Sequence, residues 1–275
     1  MIENKNRFYM NIFLTIIVGI IVLFFIFPLY ILIITSFKPA LDIFDMRLIP
    51  RAVTIANFTD VIKSQNFLQY IYNSLFVAVI TTSLSLFLQS TSAYALSRLK
   101  FRGKNKIFVL IISTMMIPFS IIIIPLFIIT KDLNLLNSLW GMIIPIAANG
   151  YGVFLLRQFF YSIPMDLDES AFIDGASHYT IFFRILLPLC KPILITLGAS
   201  YFIFNWNNYL WPVIVSNNQS QWLVQVAITS FQGQHGSEWN LILAASVVAC
   251  LPIFILFSFF QRYLVEGIKT SGIKG

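Results

Sequence analysis

Residues 8–37 read FYMNIFLTIIVGIIVLFFIFPLYILIITSF, an unbroken run between Arg7 and Lys38 without one charged side chain. About 20 apolar residues suffice for a helix to cross ~30 Å of hydrocarbon. Lipid offers no partner to a bare backbone N–H or C=O, so such a run must be helical. The pattern recurs at 64–97, 107–130, 133–156, 192–237 and 239–261, all free of Asp, Glu, Lys and Arg. These runs place six transmembrane helices near 11–36, 70–97, 107–130, 138–161, 190–216 and 241–262. The predicted fold class is an all-α polytopic membrane protein. A transmembrane barrel is excluded because its strands alternate apolar and polar residues. The first run is too long for a secretory signal and has no small-residue cleavage site, so it reads as a retained span.

Composition agrees. The 275 residues are 58% hydrophobic and only 11% charged, with a mean hydropathy of +0.84. A soluble domain carries about 25% charged residues, so this chain cannot coat a soluble body of its size. Basic residues choose the orientation, because Lys and Arg concentrate on the cytoplasmic side. With the termini inside, the inner segments hold Lys5, Arg7, Arg98, Lys100, Arg102, Lys104, Lys106, Arg157, Arg184, Lys191, Arg262, Lys269 and Lys274. The outer segments hold Lys38, Arg47, Arg51, Lys63 and Lys131. The net charge of +7 is then explained by the anionic inner leaflet of the lipid bilayer and needs no nucleic acid. Cys190, Cys250, His178 and His235 are scattered and form no metal-ligand spacing. No catalytic or nucleotide-binding motif is present, and no metal or cofactor is expected on this chain.

One connector is too long and too patterned to be only a link. SIPMDLDESAFIDGASHYTIFFRILLPLCKP (162–192) holds Asp166, Asp168, Glu169 and Asp174, 4 of the 11 acids in the chain. Asp166 is expected as an N-cap with Glu169 completing a capping box. Gly175 permits the left-handed turn that ends a short helix. A second helical stretch is expected from about Ser177, Pro188 restricts Leu187, and Pro192 marks the start of span five. The expected element is helix, glycine turn, helix, with small residues Ser170, Ala171 and Ala176 near the bend.

Glu169, Ser170, Ala171, Asp174, Gly175 and Ala176, followed by Ile185, Leu187 and Pro188, resemble the coupling-loop motif of ABC importer permeases. Ser170 stands where that motif usually has alanine. SFKPALDIF (36–44), NFTDVI (57–62), NSLFVA (73–78), FNWNNYLWP (204–212) and the end of the chain from Pro252 resemble the carbohydrate-importer branch, the maltose-type permeases. The resemblance implies a binding-protein-dependent, type I ABC importer fold, with the coupling helices in the cytoplasmic loop between spans four and five. It implies a second homologous permease subunit, two ATP-binding subunits that carry ATP and Mg, and an extracellular or periplasmic solute-binding protein. It implies a bacterial cell membrane, a sugar, oligosaccharide or related polar solute, and no enzyme activity on this chain. It also implies that Gly272, Lys274 and Gly275 of the tail reach towards the ATPase pair.

Domain organisation follows as 1–69 for the first span and external loop, 70–263 for the transmembrane core and 264–275 for the tail. Within span five, Asn205, Trp206, Asn207, Asn208, Tyr209 and Trp211 are candidate solute-pathway residues. Amides in a bilayer must find partners or water, and aromatic rings suit sugar faces. The same residues also suit interface anchoring or helix packing. The competing function is an ion-gradient-driven secondary transporter. A proton-driven one needs an ionisable group within a span, and these spans offer none; sodium coupling is not excluded by that argument. A membrane enzyme would need convergent acids, histidines or a metal set, and the sequence shows none.

Overall fold

A computed structural model of the chain describes residues 2–63, 66–233 and 236–272, with side chains described for 9–63, 66–232 and 238–262. Helices in chain order are α1 (Ile2–Ser36), α2 (Ala56–Lys63), α3 (Phe67–Arg98), α4 (Lys104–Ser113), α5 (Phe119–Asp132), α6 (Leu139–Ile143) and α7 (Gly150–Ser162). They continue as α8 (Asp166–Ile173), α9 (His178–Thr180), α10 (Leu187–Leu189), α11 (Lys191–Trp206), α12 (Leu210–Val215), α13 (Val224–Ser230) and α14 (Trp239–Gly272). One short antiparallel pair, β1 (Gln232–Gly233) and β2 (Gly236–Ser237), sets Gln232 opposite Ser237.

Three helices are long and apolar enough to cross a membrane unbroken: Tyr9–Ser36, Phe67–Arg98 and Trp239–Arg262. Three further helix pairs, each bent at a break, are long and apolar enough together. Lys104–Met116 and Phe119–Asp132 meet at 106°, Leu139–Ile146 and Gly150–Ser162 at 48°, and His178–Leu189 and Lys191–Trp206 at 77°. Counting each pair as one span gives six.

The breaks have local causes. Pro118 forces Ile117 into extended backbone, φ −91° and ψ 115°, as the residue before a proline prefers. Asn149 accepts from the Gly152 N–H at 3.4 Å and starts α7 as its N-cap, so the polar stretch in span four is a helix junction. The expected single helix over 190–216 is instead α11 and α12, separated at Asn207–Tyr209. Asn208 there accepts from the Trp211 N–H at 3.4 Å.

The chain divides into two compact units. The first comprises residues 1–67 and 228–251. Within it Lys38 is buried and donates to the carbonyls of Asp45 (2.5 Å) and Arg47 (3.1 Å). Asn57 donates to the carbonyls of Ser36 and Lys38, each at 2.8 Å, and accepts from Asn240 at 3.0 Å. A buried cation is costly unless hydrogen-bonded, and this carbonyl cage keeps Lys38 solvated by backbone.

The second unit comprises 68–227 and 252–275. One of its cores joins Ala93 and Tyr94 of α3, Leu156 and Phe160 of α7 and Leu197 of α11 to Ala171, Ile181, Phe182, Leu186 and Cys190 of the long connector. Another gathers Val77, Met142, Ile143, Trp211, Val215 and Leu223.

Candidate functional site

The connector begins where α7 ends. Ile163 is extended, and Asp166 opens α8 without acting as a cap. The expected capping box does not form. Met165 is the N-cap, already helical at φ −67° and ψ −24°, with no side-chain bond. Its carbonyl instead accepts from the N–H groups of Asp168 (2.9 Å) and Glu169 (3.1 Å). Backbone therefore satisfies the Glu169 N–H that the Asp166 carboxylate was expected to hold. Asp166, Asp168 and Glu169 still lie in the first turn, where negative charge complements the helix dipole. Glu169 is left exposed with its carboxylate free of capping duty.

The end of α8 follows the expectation. Gly175 has φ +80°. Its N–H donates to Phe172 O at 3.0 Å, and the Ala176 N–H donates to Ala171 O at 2.9 Å. Those two bonds make a Schellman turn, which requires the left-handed residue that glycine supplies. A β-carbon at Gly175 would meet no other atom within 4 Å, so the constraint is the backbone angle and not crowding. Ser177 then caps α9, its hydroxyl accepting from the Thr180 N–H at 3.3 Å. A wide π-type turn over Ile181–Leu186 leads into α10. Leu187 is helical at φ −58° and ψ −44°, against the extended preference expected before Pro188. Pro188 is the second residue of α10 and follows directly on the π-type turn.

The connector has two unlike faces. Ala171 is buried, and Ala176, Ile185 and Leu187 are partly buried against the core under it. Glu169, Ser170, Asp174 and Pro188 are exposed, together with Ile173 (87%) and Tyr179 (79%). Exposed apolar residues ringed by acids mark an interaction surface.

Sequence reading missed the residues that hold this element from behind. Arg98, the last residue of α3, lies 3.2 Å from Asp168 by its Nε, with both side chains almost fully buried. It also donates to Ile163 O at 3.0 Å and contacts the Met165 sulfur. Tyr94, one turn earlier, bonds His178 Nδ1 at 3.1 Å. The Arg98 Nε is not aligned as a hydrogen-bond donor, and Asp168 Oδ1 has no partner among the described residues. Burial pushes the Asp168 carboxyl above its usual range, while the charges of Arg98 and His178 pull it down. The only signal available in sequence was an arginine at a span end and an acid in a loop, with no spacing to join them.

Nearby Arg157 is buried differently. Its guanidinium lies over the Phe108 ring at 3.8 Å and donates to Leu96 O (3.1 Å) and Tyr161 (3.1 Å).

The candidate pathway residues of span five separate into two groups. Trp206 and Trp211 are fully buried within the chain, and Trp211 Nε1 donates to Gly141 O at 3.1 Å. Asn205 is buried and donates to Tyr201 O at 2.8 Å. Asn207 and Tyr209 are exposed, and Asn207 accepts from Gln225 at 3.3 Å. Gly272 lies in the last turn of α14, whereas Lys274 and Gly275 lie outside the described residues. Among the described residues no cluster of three metal-ligating side chains occurs.

The architecture is that of an ABC importer membrane subunit. A chain from the crystal structure of a bacterial ABC transporter involved in the import of the acidic polysaccharide alginate matches with a TM-score of 0.83 and 25% identity, covering 94% of this chain and 97% of that one. A chain of the MetNI methionine ABC transporter in an inward-facing conformation shares the fold at a TM-score of 0.56, with 15% identity over 73% of this chain and 95% of that one. Residues 85–270 match the family described as "Binding-protein-dependent transport system inner membrane component", and the chain belongs to that family. The arabinooligosaccharides transport system permease protein AraQ of Bacillus subtilis (strain 168) is 33% identical over 258 residues, covering 92% of each chain. The diacetylchitobiose uptake system permease protein DasC of Streptomyces coelicolor is 31% identical, covering 91% of this chain and 92% of that one. The chain is thus a multi-pass membrane component of an ABC importer, and its family role is transport and not catalysis.

Proposed function

We propose that this chain is one of two permease subunits of an importer for an oligosaccharide or related polar solute, driven by two ATPase subunits that hold ATP and Mg. The observation that carries it is the exposed face of the connector. Glu169 stands free at the start of α8, beside exposed Ile173 and Tyr179, on an element whose other face is packed into the transmembrane core. A carboxylate there can pair with a basic group of an ATPase, and closure of the ATPases then moves the spans. The solute class rests on relatives such as AraQ and DasC, whose names give oligosaccharide substrates. An external solute-binding protein delivers the solute, as the family's description implies.

In this reading the core is 70–263, the termini and 98–106 are cytoplasmic, and Gly272, Lys274 and Gly275 reach the ATPase pair. Asn207 and Tyr209 are the pathway candidates with exposed side chains. The test is ATPase copurification together with oligosaccharide uptake for Glu169→Ala. Uptake is expected to fall to background while the protein still inserts. Normal assembly and uptake would remove the coupling role. Impermeant labelling of Ser220→Cys but not Lys104→Cys in intact cells checks the orientation. Deletion of 271–275 is expected to lower stimulated ATP hydrolysis.

A further inference from the structure

The connector is covalently continuous with α7 and α11, yet both joints are poor carriers of a push. Towards α7 the backbone is extended at Ile163 and followed by Pro164. Towards α11 the chain breaks at Cys190, with a 77° bend between the flanking helical segments. Non-covalent contacts to α3 are firmer. Arg98 grips the first half of the connector through Asp168 and Ile163 O, and Tyr94 grips the second half through His178. The grips fall on either side of the Gly175 turn.

α3 is suited to pass a displacement on. It runs 32 residues without an internal proline or glycine. Its far end is clamped as well. Buried Asn73 donates to Ser220 O (2.9 Å) and Trp222 O (3.0 Å), and the Ser74 hydroxyl accepts from the Val224 N–H at 2.7 Å. From Asn73 to Arg98 a helix covers roughly 37 Å at ~1.5 Å per residue, about the thickness of a membrane. The same rigid element thus holds the connector at one end and the segment 220–224 at the other.

The Arg98–Asp168 pair is also hard to explain as a stabiliser. Buried ion pairs are weak evidence for stability, and apolar replacements of similar volume are often neutral. Asp168 Oδ1 is left without a partner among the described residues, so the pair is not optimised as a static core contact.

We propose that α3 is a two-ended strut: Arg98 and Tyr94 take up movement of the connector, and Asn73 and Ser74 deliver it to segment 220–224. Arg98, Tyr94, Asn73 and Ser74 are positioning residues in this scheme. It rests on the ABC permease reading and adds the path by which the ATPase-facing and opposite ends are joined.

The experiment uses the complex purified from native membranes through a tag on this chain, with Cys190 and Cys250 replaced by alanine. A single Gln219→Cys reports on the segment beside 220–224 by its thiol labelling rate, with and without ATP and vanadate. In the parent, nucleotide trapping is expected to change that rate at least about fivefold, in the range of ordinary coupling. In R98M/D168L, which replaces the pair by apolar side chains, the change is expected to vanish while ATPase subunits still copurify. Y94F, which keeps the ring packing, should reduce it partly. N73L should abolish it from the other end, and combining N73L with R98M/D168L should add nothing further.

A parent whose labelling ignores nucleotide, or R98M/D168L and N73L complexes that retain the full response, would overturn the strut. So would loss of assembly in both R98M/D168L and Y94F, since the contacts would then be structural only. Failure of the permease reading shows separately, as a parent complex without ATPase subunits.

Discussion

The connector 162–192 and the span-five stretch 204–212 both announce themselves in sequence by polar residues in an apolar chain, and they use them in opposite ways. The connector turns Glu169, Ser170 and Asp174 outward over a buried apolar face. The span-five stretch turns Trp206, Trp211 and Asn205 inward and leaves Asn207 and Tyr209 exposed. Hydrogen bonding accounts for the difference. α8 closes its own ends with backbone bonds and the Gly175 turn, so Asp166 and Glu169 are left exposed while Asp168 pairs with Arg98. The break between α11 and α12 opens N–H groups and carbonyls, and Asn205 and Asn208 beside it bond to backbone within the chain.

The largest effect that would break the comparison is at Gly175. Gly175→Val is expected to abolish uptake, because a β-branched residue at φ +80° is strained. Gly175→Asn should retain most uptake, since asparagine tolerates the left-handed region. Equal loss in both would mean that space, and not backbone angle, is the constraint.

Trp211→Phe should instead lower stability by about 1–3 kcal/mol, through the lost bond to Gly141 O and the cavity left behind. Thermal unfolding in detergent measures it. An unchanged midpoint would place Trp211 outside the core that the structure gives it. Asn207→Ala, at an exposed position, should change stability by under about 0.5 kcal/mol while altering the KM for uptake. No change in either quantity would remove it from the pathway.

The smallest effect is a pH slope. Asp168 has a raised pKa from burial, so its contribution is full below the ordinary carboxylate pKa of about 3.9. It is lost as pH rises through the raised value. Wild type should show this loss of thermal stability on raising pH above about 4, and Asp168→Asn should lack it.

Much of this was legible. Charge-free runs mark up to six crossings because lipid forbids unpaired backbone, and Gly175 announced its turn because glycine takes a positive φ without a β-carbon penalty. The capping box does not form, and the N-cap falls one residue earlier than expected, at Met165, whose side chain makes no cap bond. The breaks in spans three and four were less visible, since Pro118 and Asn149 are also tolerated inside unbroken membrane helices. The grip of Arg98 on Asp168 joins residues 70 apart in the chain, and no local period encodes it. Direction was the information missing from span five: composition says that an asparagine needs a partner and does not say which side provides one.

The cage around Lys38 has a bearing on how the protein is made. Its Asn57 is bonded to Asn240, 183 residues later in the chain. At a synthesis rate of about 5–20 residues per second, the gap between the two is on the order of ten to forty seconds. Until Asn240 emerges, the Asn57 side-chain carbonyl must be satisfied by water or by some other partner. The first unit therefore closes only after residues 68–227 of the second have been translated. A chain released before residue 240 lacks the partner that the fold gives the Asn57 side-chain carbonyl, and its clasp stays open.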